Sequence, residues 1–324
     1  MDVYRQGLIR ALCFHDVCGY APTRIELFSS FDSAVPLLTN GSPPAGGDFG
    51  ELSRTGVRGG GRERLGEVFQ ELKNDQTIIE SRGRVIFPGR EVLIQEHESR
   101  EALFPRKIKR ARQVARWLAR LSGVRFVALC NTTALAHARD DGDLDFFVVT
   151  RRGTLWQTRA LAVLPFKILK RRPQEDRAER DAVCLSFFVD DIALDLSSLQ
   201  LNGDDPYFRH WFLSLLPLHD DGVSTDLWNA NAAITTRHPF ARPWIVNKEY
   251  RIKNREYRIP TCLCIESLAR RLQSKAFPTQ IRSLMNVDTR VVVNDHVLKF
   301  HVEDGRTSYR DAYQTKCQTY GIEF

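Results

Sequence analysis

Asp143 and Asp145 stand one residue apart at the head of an apolar run, Leu144 and then Phe146-Phe147-Val148-Val149-Thr150. Side chains along a strand alternate faces, so a strand here sends both carboxylates out of the same side of its sheet. Like charges that close repel and raise each other's pKa. A divalent cation held by both, together with substrate phosphates, removes that penalty. The chemistry such a pair suits is metal-assisted reaction at a phosphate. A solvated turn built from Asp140, Asp141, Asp143 and Asp145, with only Phe146 to Val149 inside, satisfies the same pattern.

The elements needed to position the pair can be read on either side of it. Val124 to Leu129 reads as a buried strand, and Asn131-Thr132-Thr133 as a polar turn opening a helix. Thr132 is expected to cap that helix over residues 133–138, which would leave free N–H groups for an anion beside the metal ligands. Beyond the second strand, a helix is expected from Gly153-Thr154-Leu155-Trp156 to about Lys170, with Thr154 as its cap. Arg151 and Arg152, directly after that strand, are candidates to reach a triphosphate. The cluster Lys167, Lys170, Arg171 and Arg172 complements the helix dipole.

Strand, polar turn into a helix, and a second strand opening Asp-x-Asp together resemble the nucleotidyltransferase domain of the DNA polymerase β superfamily. Cys184 to Val189, Asn229 to His238 and Val297 to Asp304 are similar to segments of bacterial nucleotidyltransferase-domain proteins that carry an N-terminal winged helix. The resemblance implies Mg²⁺, with Mn²⁺ as a substitute, held by Asp143 and Asp145. It also implies an NTP whose phosphates meet Asn131 and Thr132, and an unidentified hydroxyl acceptor. A third carboxylate is implied from a neighbouring strand. Asp195, in an expected return strand Ile192-Ala193-Leu194-Asp195-Leu196, is the first candidate for it, ahead of Asp190 and Asp191 in an expected hairpin turn. Ser186 at that position would weaken metal binding. Asn131 stands where the family has glycine. Asn tolerates a left-handed backbone but adds a side chain where phosphate should approach. A catalytically inactive protein of this fold, recognising a nucleotide, nucleic acid or protein partner, is the competing expectation.

The 324 residues, 43% hydrophobic and 27% charged, suffice for two or three domains. No apolar run approaches the roughly 20 residues that span a bilayer, and Met1-Asp2-Val3-Tyr4-Arg5 opens no signal-peptide core, so a cytoplasmic protein without membrane partners is expected. The seven cysteines lack zinc-knuckle spacing and read as reduced thiols. The net charge of +7 is unevenly placed. Arg100, Arg106, Lys107, Lys109, Arg110, Arg112, Arg116 and Arg120 load one expected amphipathic helix, a solvated face that would also attract a polyanion such as nucleic acid.

The expected class is α+β in three parts. Residues 1–95 read as a winged helix: helices at Gln6 to Cys13, after the Thr23/Glu26 capping pair, and at Arg62 to Lys73, then a hairpin turning on Ser81-Arg82-Gly83. A Gly-, Pro- and Ser-rich insertion near 40–61 interrupts them. Glu63, Glu67 and Glu71 on the third helix oppose DNA phosphates. Residues 96–204 read as the nucleotidyltransferase-type mixed sheet flanked by helices, and 205–324 as a mainly helical region with a strand at Thr289 to Val293. Were His301 to Asp304 helical, those two side chains would be neighbours able to orient a ligand. Trp211, Trp228 and Trp244 are expected in the core.

Overall fold

The computed structural model describes residues 2–33, 60–171, 180–245, 259–261 and 265–322. The expected insertion falls outside them except for Gly60 and Gly61, which begin a helix; Arg172, Cys262 and Cys264 also fall outside.

The N-terminal part is built from helices α1 (Val3–Val17), α2 (Arg24–Ser29) and α3 (Gly60–Asn74), followed by a hairpin of β1 (Ile79–Ser81) and β2 (Arg84–Ile86). Arg82 and Gly83 make its two-residue turn, both at positive φ, 51° and 73°. The capping pair forms as its spacing predicts: Thr23 Oγ1 accepts from the Glu26 N–H at 3.2 Å while the Glu26 carboxylate accepts from the Thr23 N–H at 2.7 Å. Leu8, Leu12, Phe69, Leu72 and Val85 share one core with Tyr313 and Cys317 from the other end of the chain.

The basic segment is two helices rather than one, α4 (Val92–Glu101) and α5 (Phe104–Leu118). Pro105 supplies the break: in the first turn its missing N–H costs nothing, whereas within a continuous helix it would remove a hydrogen bond. Lys107 leaves the basic face altogether. It is 1% exposed, and its ammonium reaches the Gly142 carbonyl at 2.6 Å and Asp181 at 2.8 Å.

Six strands form one mixed sheet: β3 (Val124–Leu129), β4 (Leu144–Thr150), β5 (Val183–Asp190), β6 (Leu216–Asp220), β7 (Val291–Val293) and β8 (Val297–Phe300), in the order β6-β3-β4-β5-β8-β7. The four-residue helix α6 (Asn131–Ala134) links β3 to β4. The longer α7 (Leu155–Ile168) makes the crossover to β5, and β4 with β5 is the sheet's parallel pair. Helices α8 (Pro206–Leu213), α9 (Ser224–Ala230), α10 (Ala232–Thr235), α11 (Glu266–Lys275), α12 (Thr279–Leu284) and α13 (Arg306–Gln318) complete the α+β architecture. One face of the sheet, with Val127, Phe146 and Val148, packs on α5 and α7. The other, with Ala128, Phe147 and Phe187, packs on α8 through Trp211 and Phe212. Trp211 and Trp228 are buried there and Trp244 is half-buried. Residues 205–324 therefore supply three strands of the sheet as well as helices.

Two local expectations fail for physical reasons. The return strand over 192–196 does not form: the Asp190 carboxylate accepts from the N–H groups of Ile192 and Ala193 and turns the chain away, and β8 takes the open edge of β5. Thr154 makes no side-chain cap on α7, because its hydroxyl donates instead to the Arg151 carbonyl at 2.8 Å. No helix among the described residues is long and apolar enough to cross a membrane.

Candidate metal and nucleotide site

Asp145, in β4, and Asp143, in the loop immediately before it, do converge. Their carboxylates, together with the Cys184 sulfur, place one ligand atom each within 4.8 Å of one another. Cys184 arrives because β4 and β5 are parallel neighbours in which Asp145 and Cys184 are register partners. One residue further the register shifts, so that Phe147 faces Phe187. That bulge lets Ser186 and Phe187 both line the same cavity. The loop ahead of the pair is pinned from below by Lys107 on the Gly142 carbonyl and from the side by the Thr133 hydroxyl on the Asp143 carbonyl, 3.2 Å.

Burial, and for Asp143 the neighbouring Asp145 charge, raises both carboxyl pKa values above the usual range. Hydrogen bonding from Asn131 and Cys184 offsets part of this at Asp145. Lys107, the cation that most favours the charged form of Asp143, is committed to Asp181. Two half-buried carboxylates without a closed ion pair among the described residues are a donor set suited to a hard divalent cation. Cys184 is held as a thiol: burial first, and then the nearby carboxylates, push its pKa far up, and its sulfur lies 3.3 Å from Ser186 Oγ.

The cavity above the pair has a volume of about 420 Å³. Phe187, Tyr207, Trp211 and Tyr309 give it an aromatic lining, and Lys299, His301 and Arg306 line it too, His301 edge-on to Phe187 with ring centroids 5.9 Å apart. Lys299 is 2% exposed and burial brings its pKa down to about 8, with its ammonium on the Thr289 carbonyl. His301 Nε2 lies 3.2 Å from Ser186 Oγ, and burial lowers its pKa to about 3. Arg306 is tied to Asp205 at 2.9 Å and Asp304 at 2.7 Å. The helical pairing of His301 with Asp304 is thereby replaced: the segment follows a strand, Asp304 pairs with Arg306, and His301 turns to Ser186.

The remaining candidates divide. Asn131 borders the cavity beside Asp145 and takes the left-handed conformation its glycine-like position demands, φ 57°. Thr132 does not cap: α6 starts two residues earlier than expected, after Cys130, and is a single turn, so Thr132 lies inside it, is exposed and lines a second, adjoining cavity. Asp195 is exposed outside any strand and accepts from the Ser197 N–H at 2.9 Å, away from the pair. Arg151 and Arg152 follow the far end of β4. Seven residues at roughly 3.3 Å each put them about 20 Å from the acidic end, beyond an arginine's reach. Arg151 instead bonds the Ser122 carbonyl, and the Arg152 N–H bonds Asp191. Lys299 and Arg306 were not singled out in the sequence, although a lysine inside Val297-Leu298-Lys299-Phe300 is a charged residue in an apolar strand and signals a special environment.

No protein-family model, curated protein or solved structure matches the chain, so its site must be argued from its own geometry.

Proposed function

We propose that this protein is a nucleotidyltransferase that moves a nucleoside monophosphate from an NTP to a hydroxyl acceptor with Mg²⁺ or Mn²⁺, in the cytoplasm. The observation that carries the reading is the convergence, on the floor of an open cavity, of two carboxylates that close no ion pair among the described residues. The order helix, strand, helix, strand, helix, strand from α5 to β5, with the three strands adjacent in the sheet, supports it. Asp143 and Asp145 would hold the cation, which would neutralise phosphate charge and activate the acceptor. Asn131 is placed to orient Asp145, and Ser186 and His301 form a polar wall; the aromatic lining excludes water and offers a stacking surface. In the transfer the acceptor oxygen bonds to the α-phosphorus and the bond from that phosphorus to pyrophosphate breaks. The electron pair leaves with pyrophosphate and the hydroxyl proton passes to water. Calorimetric titration of Mg·NTP into the wild type and into Asp143→Ala/Asp145→Ala tests the site: the double variant should lose binding, and equal binding in both removes the assignment.

A second reading, a catalytically silent binding protein, is favoured by the donor next to Asp145. The neighbouring strand offers a thiol and a hydroxyl, Cys184 and Ser186, where a third carboxylate would serve catalysis. Lack of pyrophosphate release with every NTP and either metal, alongside tight and salt-sensitive RNA or DNA binding, would establish it. The three N-terminal helices and hairpin support the winged-helix reading, but Arg64 on α3 is spent on Asp2, Glu67 and Glu71, which leaves that helix poorly equipped for phosphates.

A further inference from the structure

Next to the metal-site cavity lies a second one of about 310 Å³, between the N-terminal helices and α8. Asn131, Tyr207, Trp211 and Tyr309 line both, so the two chambers share a wall that ends at Asp145's neighbour. Tyr207, His210 and Trp211 are spaced i, i+3 and i+4 on α8 and form one face of it. The first and last serve both chambers, whereas His210 serves the second alone.

His210 is the informative residue. It is only 7% exposed, its ring stacks on Phe14 with centroids 3.7 Å apart, and among the described residues neither ring nitrogen has a hydrogen-bond partner. Nor do those nitrogens belong to the sealed polar atoms of the interior, so they keep contact with the cavity. A buried polar group left open in this way is costly unless something completes it. Burial lowers its pKa well below the ordinary histidine value, so near pH 7 the ring is neutral, with one donor and one acceptor nitrogen. Two other polar groups of the wall are satisfied: His15 faces Ser30 Oγ at 2.9 Å, and Glu26 is held by Tyr20 at 2.7 Å and by Thr23. Among the described residues Arg242 is the one cation of the lining, and it is exposed, while against partial burial hydrogen bonds hold the Glu26 carboxyl below its ordinary range; that lining suits neither a triphosphate nor any other strong anion.

We propose that this second cavity binds the acceptor of the transfer reaction, a small uncharged molecule whose aromatic ring lies among Phe14, Tyr20 and Trp211, with one polar substituent hydrogen-bonded to His210 and a separate, reacting hydroxyl directed past Asn131 toward the metal-site chamber. The ring site stands on geometry alone, and its role as acceptor site rests on the nucleotidyltransferase reading. Phenol and toluene, equal in shape and different in one hydroxyl, are the probes. By calorimetry or ligand-observed NMR, His210→Phe, which keeps the stack on Phe14, should weaken phenol about tenfold and leave toluene within about twofold, the scale of one lost hydrogen bond. Ser214→Phe, which fills the chamber from its lip, should remove both probes and leave Mg·NTP binding unchanged. Asp143→Asn/Asp145→Asn should leave both probes bound, so a failure of the metal site does not disturb this result. Equal losses of phenol and toluene in a folded His210→Phe, or retention of both in Ser214→Phe, overturn the site. Loss of Mg·NTP binding in Ser214→Phe shows that the chamber holds the nucleobase, and overturns the acceptor assignment.

Discussion

Asp145 and Cys184 are register partners across two parallel strands, and this single pairing decides what the acidic end of the sheet can bind. A carboxylate in the partner position would give a hard, highly charged oxygen cage. The thiol instead gives two carboxylates and a proton-bearing sulfur within 4.8 Å. The consequences are measurable without knowing the substrate.

The carboxylate pair should reveal itself first through stability. A carboxyl whose native pKa is raised binds its proton more tightly folded than unfolded, so its stabilising contribution is present in acid and is lost as pH rises through the native value. Asp143 and Asp145 are both raised, so at pH 7 they strain the cation-free fold. Asp143→Asn or Asp145→Asn should raise Tm in chelator by a few degrees, a gain on the order of 1 kcal/mol or less. Millimolar Mg²⁺ or Mn²⁺ should raise Tm of the wild type and not of either variant, and this gain should fade as the pH is lowered toward the carboxyl range. Thermal scans across pH with and without metal check both; a cation-induced shift that survives in the double variant places the metal elsewhere.

Cys184 should separate soft from hard cations. Its pKa is raised by burial and by its carboxylate neighbours, so Mg²⁺ has little power to displace its proton, whereas a thiophilic ion such as Cd²⁺ binds sulfur with proton release. Cys184→Ser should cut Cd²⁺ affinity by about tenfold or more, equivalent to about 1.4 kcal/mol, and leave Mg²⁺ nearly unchanged. Cys184→Asp should do the reverse and strengthen Mg²⁺. Calorimetry in two buffers of different ionisation enthalpy reads affinity and proton release together, and Cd²⁺ binding insensitive to Cys184→Ser would exclude the sulfur as a ligand.

How far the site could be read in the sequence follows from where its residues come from. The Asp143/Asp145 geometry was legible because a strand's period of two is local, and the left-handed Asn131 because few residues other than glycine accept that conformation. The Thr23/Glu26 cap was legible for the same reason of short range. Partners brought by the sheet were not: Ser186 and His301 meet across 115 residues of chain, and nothing local marks which strand will sit beside β5. Asp195 was misplaced because Ile192 to Leu196 alternates like a strand, while the edge it needed was taken by β8. Arg151 and Arg152 misled by being close in sequence to the pair while a whole strand length separates them in space. His210 carried no signal in the sequence, because that its ring nitrogens find no hydrogen-bond partner among the described residues is visible only in three dimensions.

Asp32 should prove the costliest single charge to remove. It is fully buried just after α2, and it binds Arg237 through Nε at 2.6 Å and Arg209 at 3.3 Å, thereby tying the N-terminal helices to the segments after the sheet. These cations, with His238, hold its carboxyl far below the ordinary range despite burial. Arg209 and Arg237 both keep Asp204 as a second acceptor, so Asp32→Asn removes charge-assisted hydrogen bonds without stranding either arginine and should lose about 1.5–3 kcal/mol in a urea melt. A loss under about 1 kcal/mol would mean that Asp204 alone suffices to hold the two arginines.

Acid should unfold the protein at a higher pH than its carboxylates alone require. Burial lowers the pKa of His15 and of His238 to about 4 each, against an ordinary value of 6.5. A base with a depressed native pKa stays neutral in the fold while the unfolded chain takes up its proton. Its contribution is therefore complete above pH 6.5 and is lost progressively as pH falls toward the native value. Each ring can account for roughly 3 kcal/mol over that window, a large share of the stability of an ordinary domain. Asp32, depressed below its unfolded value, adds a further loss that begins only below about pH 4. Circular dichroism should therefore show Tm falling steeply between pH 6.5 and 4, and His15→Gln, a neutral residue that keeps a polar contact for Ser30, should flatten the upper part of that decline. A Tm that holds level down to pH 4.5 in the wild type would show that the buried rings are not the groups on which acid acts.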